Sequence, residues 1–423
     1  SGPVHLNCAF RKPLEPVATG EAVAVPEAVE RWAKTTDPFT TYPASGSTPA
    51  PEAMASIVEA VEQTERGLVV AGRLDTQAEA EAVRRLSVRL GWPLVPDITS
   101  NLRLGAAKHP PSMPYTDQLL TSDAFQREHT PEVVLQVGGR FASKRLRHYL
   151  RDNPPAMRAV VRPSPARVDP DHRATHHVES TVPGFVKALL ERTGTAVETS
   201  PWRRAWNDAH DRAAQVVRAH TTDSDRLTEP SVAAEVSDAI PASHVLVAAS
   251  SMPVRDLNRY AVADGAPVPV VANRGASGID GTVATAAGIA HGQQTPVTLL
   301  IGDLALWHDL NSLALLRDQP VVVVAINNDG GGIFHFLPIR EHEEVFEPYF
   351  TTPQGRSFEA AAATFSLPYE QPETRSAFRS AYTAACDRDG PTLIEVRTDR
   401  DENERVHAAL EEAVSEAVDA AVR

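Results

Sequence analysis

Cysteine is nearly absent, with Cys8 and Cys386 the only two in 423 residues. Two thiols so far apart make neither a disulfide framework nor a cysteine-based metal site, so a reducing compartment is expected. Lysine is scarce too: only Lys12, Lys34, Lys108, Lys144 and Lys187 occur among 41 basic residues. No Lys/Arg-rich run offsets the formal net charge of -14, and nucleic acid is not an expected partner. Apolar runs of membrane length, roughly 18 to 20 residues, are missing, as is an opening basic segment followed by an apolar one. No membrane span is expected, and the cytoplasm is the expected location.

What is present, 42% hydrophobic and 23% charged residues with 34 prolines and 23 glycines, describes a globular protein. At about 100 to 200 residues per domain, the length allows two or three domains with cores of their own. Ser1 leads straight into Gly2-Pro3-Val4-His5-Leu6-Asn7, a strand-like run already under way, so a segment upstream is expected. Residues 15–51, rich in Pro, Ala, Thr and Ser, read as a linker with a short helix over 27–32. A strand over 67–71, a turn at Gly72 and a helix opened by Thr76 with Glu79 three residues on follow. That helix carries Val83, Leu86 and Leu90 on one face, which should pack on a sheet.

Strands are expected over 93–98, 133–137 and 159–162, with a helix over 144–150 and a second helical stretch over 202–219. A new series of short apolar strands covers 245–249, 268–272, 297–301, 321–326 and 393–396, and their near-continuous aliphatic character suits strands buried on both faces. A terminal surface helix is expected over 406–422. Alternating strands and helices argue for an α/β protein with two doubly wound parallel-sheet domains. The expected division is 1–50 as the end of a preceding domain and a linker, 51–200 as a middle domain, and 201–423 as a second domain.

The chemistry should lie between Val297 and Leu337. One strand ends in Gly302-Asp303-Leu304, a helix fits residues 309–317, and the next strand ends in Asn327-Asn328-Asp329-Gly330-Gly331-Gly332. In a strand, helix, strand crossover the two strands run parallel, so Asp303 and Asn328 would face one crevice at the carboxyl ends, where ligands bind in open α/β sheets. A carboxylate, an amide oxygen and a backbone carbonyl form a hard oxygen set suited to Mg²⁺, with positions left for phosphate oxygens and water. The glycines allow close backbone approach to an anion.

Asn-Asn closing a strand some two dozen residues after Gly-Asp resembles the diphosphate and metal motif of thiamin-diphosphate enzymes. That resemblance places the metal, Mg²⁺ or Mn²⁺, on Asp303, Asn328 and Gly330, and the cofactor against Gly302, Leu304 and the same residues. Three further stretches narrow it: Asn273-Arg274-Gly275-Ala276-Ser277-Gly278-Ile279-Asp280-Gly281, Ser251-Met252-Pro253-Val254-Arg255-Asp256, and Gly330-Gly331-Gly332-Ile333-Phe334-His335-Phe336-Leu337-Pro338. Together they resemble the 2-succinyl-5-enolpyruvyl-6-hydroxy-3-cyclohexene-1-carboxylate synthase family of menaquinone biosynthesis.

The resemblance implies decarboxylation of 2-oxoglutarate and addition of the resulting enamine to isochorismate, with thiamin diphosphate bent over Ile279 and near Ser251. It assigns Arg255 and Arg274 to substrate carboxylates, which planar guanidinium groups bind through paired hydrogen bonds. Ile333, Phe334 and Leu337 become an apolar substrate wall. A homodimer or homotetramer is implied, because family members build each site from the first domain of one subunit and the last domain of another. Two departures are visible: Ala249-Ser250-Ser251 stands where the family has Gly-Asn-Ser, and no residue matches the cofactor-activating glutamate of the family's first domain. The chain is therefore expected to be a fragment of a longer synthase, or to receive that domain from another chain.

Other thiamin-diphosphate carboligases or 2-oxo-acid decarboxylases, and a non-catalytic module that keeps the fold, are the alternatives. His172, His176 and His177 follow Asp169-Pro170-Asp171, which favours a loop over a helical zinc site. His342 with Glu341, Glu343 and Glu344 reads as a solvated face, and Gly138-Gly139 as a structural turn without nucleotide-binding spacing.

Overall fold

A computed structural model describes residues 5–10, 12, 25–35, 37–41, 47–109, 111–194, 200–275 and 278–422. The chain forms two compact units, residues 1–45 and 46–423. In the first, a short helix, Glu27–Trp32, lies where the linker was expected to hold one, and Trp32 packs edge-on against Phe39. Gly2, Pro3 and Val4 lie outside the described residues, and His5, Leu6 and Asn7 belong to no strand.

The second unit holds two parallel sheets. The first contains β1 (Gly67–Ala71), β2 (Leu94–Pro96), β3 (Val133–Val137), β4 (Met157–Arg162) and β5 (His176–Glu179), in the order β2-β1-β3-β4-β5. The second contains β6 (Val245–Ala248), β7 (Val270–Ala272), β8 (Val297–Gly302), β9 (Val321–Asn327), β10 (Tyr369–Glu370) and β11 (Thr392–Arg397), in the order β10-β11-β9-β8-β6-β7. Both are doubly wound α/β arrangements. Every residue of β1, β3, β6 and β9 is buried, as the aliphatic runs require.

Local chemistry sets the helix starts. Thr76 and Glu79 close the expected capping box at the helix Gln77–Leu90, whose buried face carries Val83 and Leu86. The Ser200 side chain caps the helix Pro201–Thr222, and the Trp202 indole N–H donates to the Gly67 carbonyl at 2.9 Å. Further along, that helix packs against the helix Arg400–Val422, so one continuous core runs from Leu68 in β1 through Trp206 to Leu246 in β6.

Several expectations are corrected. The strand expected over 93–98 shortens to β2, because Asp97 turns its side chain to the Thr99 N–H and opens a 3₁₀ turn, Ile98–Ser100. The helix expected over 309–317 is instead the α-helix Asp303–His308 followed by a 3₁₀ segment, Leu310–Leu316. Asp309 opens that 3₁₀ segment through its carbonyl, which accepts the Ser312 N–H at 3.0 Å, while its Oδ2 accepts the Val283 and Ala284 amides at 2.6 and 3.1 Å and caps the helix Thr282–Gln293 instead. The terminal helix begins earlier, at Arg400, and buries Asn403, His407, Leu410, Val414 and Val418 along one face. The helix Pro51–Gln63 and strand β5 were not expected. Gly138, with φ +80°, sits where a Cβ would lie 2.5 Å from the Arg73 carbonyl, so the glycine pair is a tight structural turn after β3, packed on the loop that follows β1.

Candidate functional site

The second sheet reverses winding direction between β6 and β8, and a crevice opens beyond the carboxyl ends of the strands at such a point. In the register, Gly302 of β8 pairs with Ile326 of β9. Asp303 and Asn328 therefore leave adjacent strands at the same edge, while Ser251 follows β6 on the other side. Asp303 is 3% exposed and Asn328 8%.

Hydrogen bonds join the two loops. Asp303 Oδ2 accepts the Gly330 N–H at 2.6 Å, and Oδ1 accepts the Leu304 N–H at 2.7 Å. Burial pushes the Asp303 carboxyl up to about 7; these amide bonds oppose the shift, and the nearby Glu229 and Asp329 charges add to it. The glycine run is held tightly: Gly330 has φ +135°, and a Cβ there would lie 2.1 Å from the Thr351 carbonyl oxygen. Gly331 donates to Thr351 O at 2.7 Å, and the Arg400 guanidinium donates to Asp329 O.

Asn328 Nδ2 donates to Glu229 Oε1 at 2.9 Å, whereas Asn328 Oδ1 is buried with no hydrogen-bond partner. The Gly330 carbonyl accepts the Gly332 N–H at 2.9 Å and keeps a second lone pair. A buried carboxylate, an orphaned amide oxygen and a carbonyl are hard donors, and this set suits Mg²⁺ or Mn²⁺. Among the described residues, no three His, Cys, Asp or Glu side chains come together as a metal site elsewhere. His172 lies in the loop before β5, whereas His176 and His177 are in that strand.

The arginine pair sits on the other side of the switch. Ser251, at φ 71°, opens the helix Met252–Tyr260, and its carbonyl accepts a hydrogen bond from Arg255. Burial lowers the Arg255 guanidinium pKa, and the charge of Arg274 lowers it further, so two cations share one half-buried corner. Asp97, from the first sheet's edge, feels the Arg274 charge as well. Phe334 packs close to Gly331 and meets Phe350 edge-on at 5.3 Å, which places it against the glycine run. Ile333 is half-buried in the same 3₁₀ turn, and Leu337 is 41% exposed just beyond it. Ile279 packs against the core beneath β6, β8 and β9. Ile279 and Leu337 belong to neither hydrogen-bonded network; Gly302 belongs through the strand pairing, and Leu304 through Asp303.

Sequence reasoning missed Glu229 and Glu395. Glu229 opens the helix Glu229–Ala239, where an acid reads as a solvated complement to the helix dipole, yet it is 3% exposed. Glu395 is fully buried in β11, and its Oε1 accepts Asn327 Nδ2 at 2.7 Å. A charged residue inside the aliphatic run 393–396 was the available signal.

A family profile described as the middle domain of thiamine pyrophosphate enzymes matches residues 25–247, and one described as the C-terminal TPP-binding domain matches 247–396. The chain is 59% identical to the 2-succinyl-5-enolpyruvyl-6-hydroxy-3-cyclohexene-1-carboxylate synthase of Salinibacter ruber, over 99% of this chain and 71% of that protein. It is 49% identical to the synthase of the same name from Rubrobacter xylanophilus, over 97% of this chain and 70% of that one. A solved structure described as a thiamin diphosphate-dependent enzyme from Mycobacterium smegmatis shares the fold, with TM-score 0.60 at 18% identity, covering 86% of this chain and 67% of its own.

Proposed function

Because the chain belongs to the 2-succinyl-5-enolpyruvyl-6-hydroxy-3-cyclohexene-1-carboxylate synthase family, thiamin-diphosphate-dependent transferases of menaquinone biosynthesis, we propose that it supplies the diphosphate, metal and substrate-arginine part of a site acting on 2-oxoglutarate and isochorismate. Thiamin diphosphate, when bound, supplies the nucleophilic carbon and the electron sink for decarboxylation of 2-oxoglutarate and carbon-carbon bond formation with isochorismate. Asp303, Asn328 Oδ1 and the Gly330 carbonyl hold Mg²⁺ or Mn²⁺, with Gly302, Leu304 and Ser251 lining the cofactor. The observation that carries this reading is the unpartnered, buried Asn328 Oδ1 beside the buried Asp303 carboxylate.

Arg255 and Arg274 orient the carboxylates of the substrates. The Arg274 charge disfavours a bare Arg255 cation in this half-buried corner, and two guanidinium groups can pair with two carboxylates, which favours dicarboxylic substrates over pyruvate. Ile333, Phe334 and Leu337 exclude water on the substrate side, and Ile279 supports the cofactor from below. The proposed domains are 51–200 and 201–423, after the terminal stretch 1–50, and the proposed assembly is a homodimer or homotetramer, checked by mass in solution.

The test is isochorismate consumption with thiamin diphosphate, Mg²⁺ and 2-oxoglutarate. Arg255→Ala and Arg274→Ala should each raise the 2-oxoglutarate KM at least tenfold. Unchanged kinetics with 2-oxoglutarate in both variants would refute the carboxylate assignment.

A further inference from the structure

Glu229 is the first residue of a helix whose start is capped by Thr228, yet its side chain turns inward. Its Oε1 accepts two hydrogen bonds, from Asn328 Nδ2 at 2.9 Å and from Thr398 Oγ1 at 3.0 Å. Thr398 follows β11, the strand paired with β9, and so holds Glu229 from the same carboxyl edge that Asn328 leaves. A carboxylate oxygen cannot donate, so the Asn328 amide can face it only with its NH₂ end. Turning the amide over would set Oδ1 against Oε1, two acceptors with no proton between them. The remaining face of the amide carries Oδ1, which is buried and has no partner. Gly332 keeps this arrangement possible, since a Cβ there would lie 2.5 Å from Asn328 Nδ2.

We propose that Glu229 is a positioning residue for the divalent metal: it locks the Asn328 amide so that Oδ1, rather than the NH₂ group, is presented to the ion. The proposal rests on the reading that Asp303, Asn328 and Gly330 hold that metal. An unlocked amide would spend part of its time with its donor end toward the cation. Outer-shell partners that orient a ligand are typically worth about 10- to 100-fold in metal affinity. Glu229 acts through Asn328, so its removal should appear in metal binding before any effect on substrate.

The test measures Mn²⁺ affinity by electron paramagnetic resonance, with thiamin diphosphate present, on the whole natural protein. Wild type is compared with Asp303→Ala, Glu229→Ala and Glu229→Gln, and metal-free thermal melting verifies the fold of each. Glutamine keeps an acceptor for Asn328 and Thr398 but drops the charge, so it separates orientation from charge. Glu229→Ala should bind Mn²⁺ at least tenfold more weakly, and Glu229→Gln should recover most of that loss. A loss below tenfold in Glu229→Ala, or a glutamine variant no better than alanine, overturns the proposal. If Asp303→Ala binds Mn²⁺ like wild type, the metal reading itself has failed. Should Glu229→Ala not fold, Thr398→Val, which frees Glu229 without removing it, is expected to weaken Mn²⁺ binding severalfold, and unchanged binding overturns the proposal.

Discussion

Glu395→Gln probes the support beneath the glycine loop. Glu395 is fully buried in β11, and its carboxylate gathers five donors: Asn327 Nδ2 at 2.7 Å and the Arg397 guanidinium at 3.4 Å on Oε1, and on Oε2 the Phe358 N–H at 2.8 Å, Tyr369 Oη at 2.8 Å and Ser357 Oγ at 3.0 Å. Glutamine has one acceptor end and one donor end. If its oxygen stays with Phe358, Tyr369 and Ser357, its NH₂ faces the NH₂ of Asn327. In the reverse pose it faces the Phe358 N–H, which cannot rotate away as the two hydroxyls can. Either way at least one buried donor is stranded, at about 1–3 kcal/mol, and the charge-assisted strength of the remaining bonds is lost. The expected destabilisation is about 3 kcal/mol in equilibrium urea unfolding, read as a lower midpoint at unchanged slope. Because Asn327 directly precedes Asn328, Mn²⁺ affinity should fall with it. A loss under about 1 kcal/mol would refute the claim that this carboxylate organises the loop.

Asp303→Ala should abolish measurable Mn²⁺ binding in the presence of thiamin diphosphate while leaving circular dichroism unchanged. Gly330→Ala places a methyl group 2.1 Å from the Thr351 carbonyl at φ +135°, so it should cost about 1–3 kcal/mol of backbone strain at least and weaken metal binding, whereas Gly288→Ala, with open space around its Cβ, should not. Burial pushes the Cys386 thiol up to about 11, while Cys8 is exposed, so a thiol reagent at pH 8 should label Cys8 quickly and Cys386 only on unfolding. For Cys386 the folded pKa lies above the ordinary thiol value of 9.0, so its contribution to stability is complete below pH 9 and is lost as pH rises from 9 towards 11. A Cys386→Ala variant should show a flatter alkaline limb in its unfolding midpoints.

The strands β8 and β9 were readable because each is an aliphatic run, broken only by Thr298 in β8, that stops at polar, turn-forming residues, Gly302-Asp303 and Asn327-Asn328. Pairing them in parallel follows from the crossover rule, and that alone brings Asp303 and Asn328 to one edge. β5 was not readable, because in His176-His177-Val178-Glu179 only Val178 is apolar and buried, so neither alternation nor a continuous run stands out. The helix expected over 309–317 failed for a related reason. Asp309 has the chemistry of a cap, but the helix it caps, Thr282–Gln293, precedes it in the chain.

The sequence by itself determined the two-sheet α/β fold and the strand-end positions of Asp303, Asn328, Ser251 and Arg274, because hydrophobic period and turn chemistry are local properties of the chain. Only the tertiary structure decided that Glu229 and Glu395 are buried partners of Asn328 and Asn327 rather than solvated acids. Each pair joins residues far apart in sequence, 99 positions for Glu229 and Asn328 and 68 for Asn327 and Glu395. A carboxylate's burial depends on the donors that the folded chain brings around it, and no local pattern records which distant amide will be there.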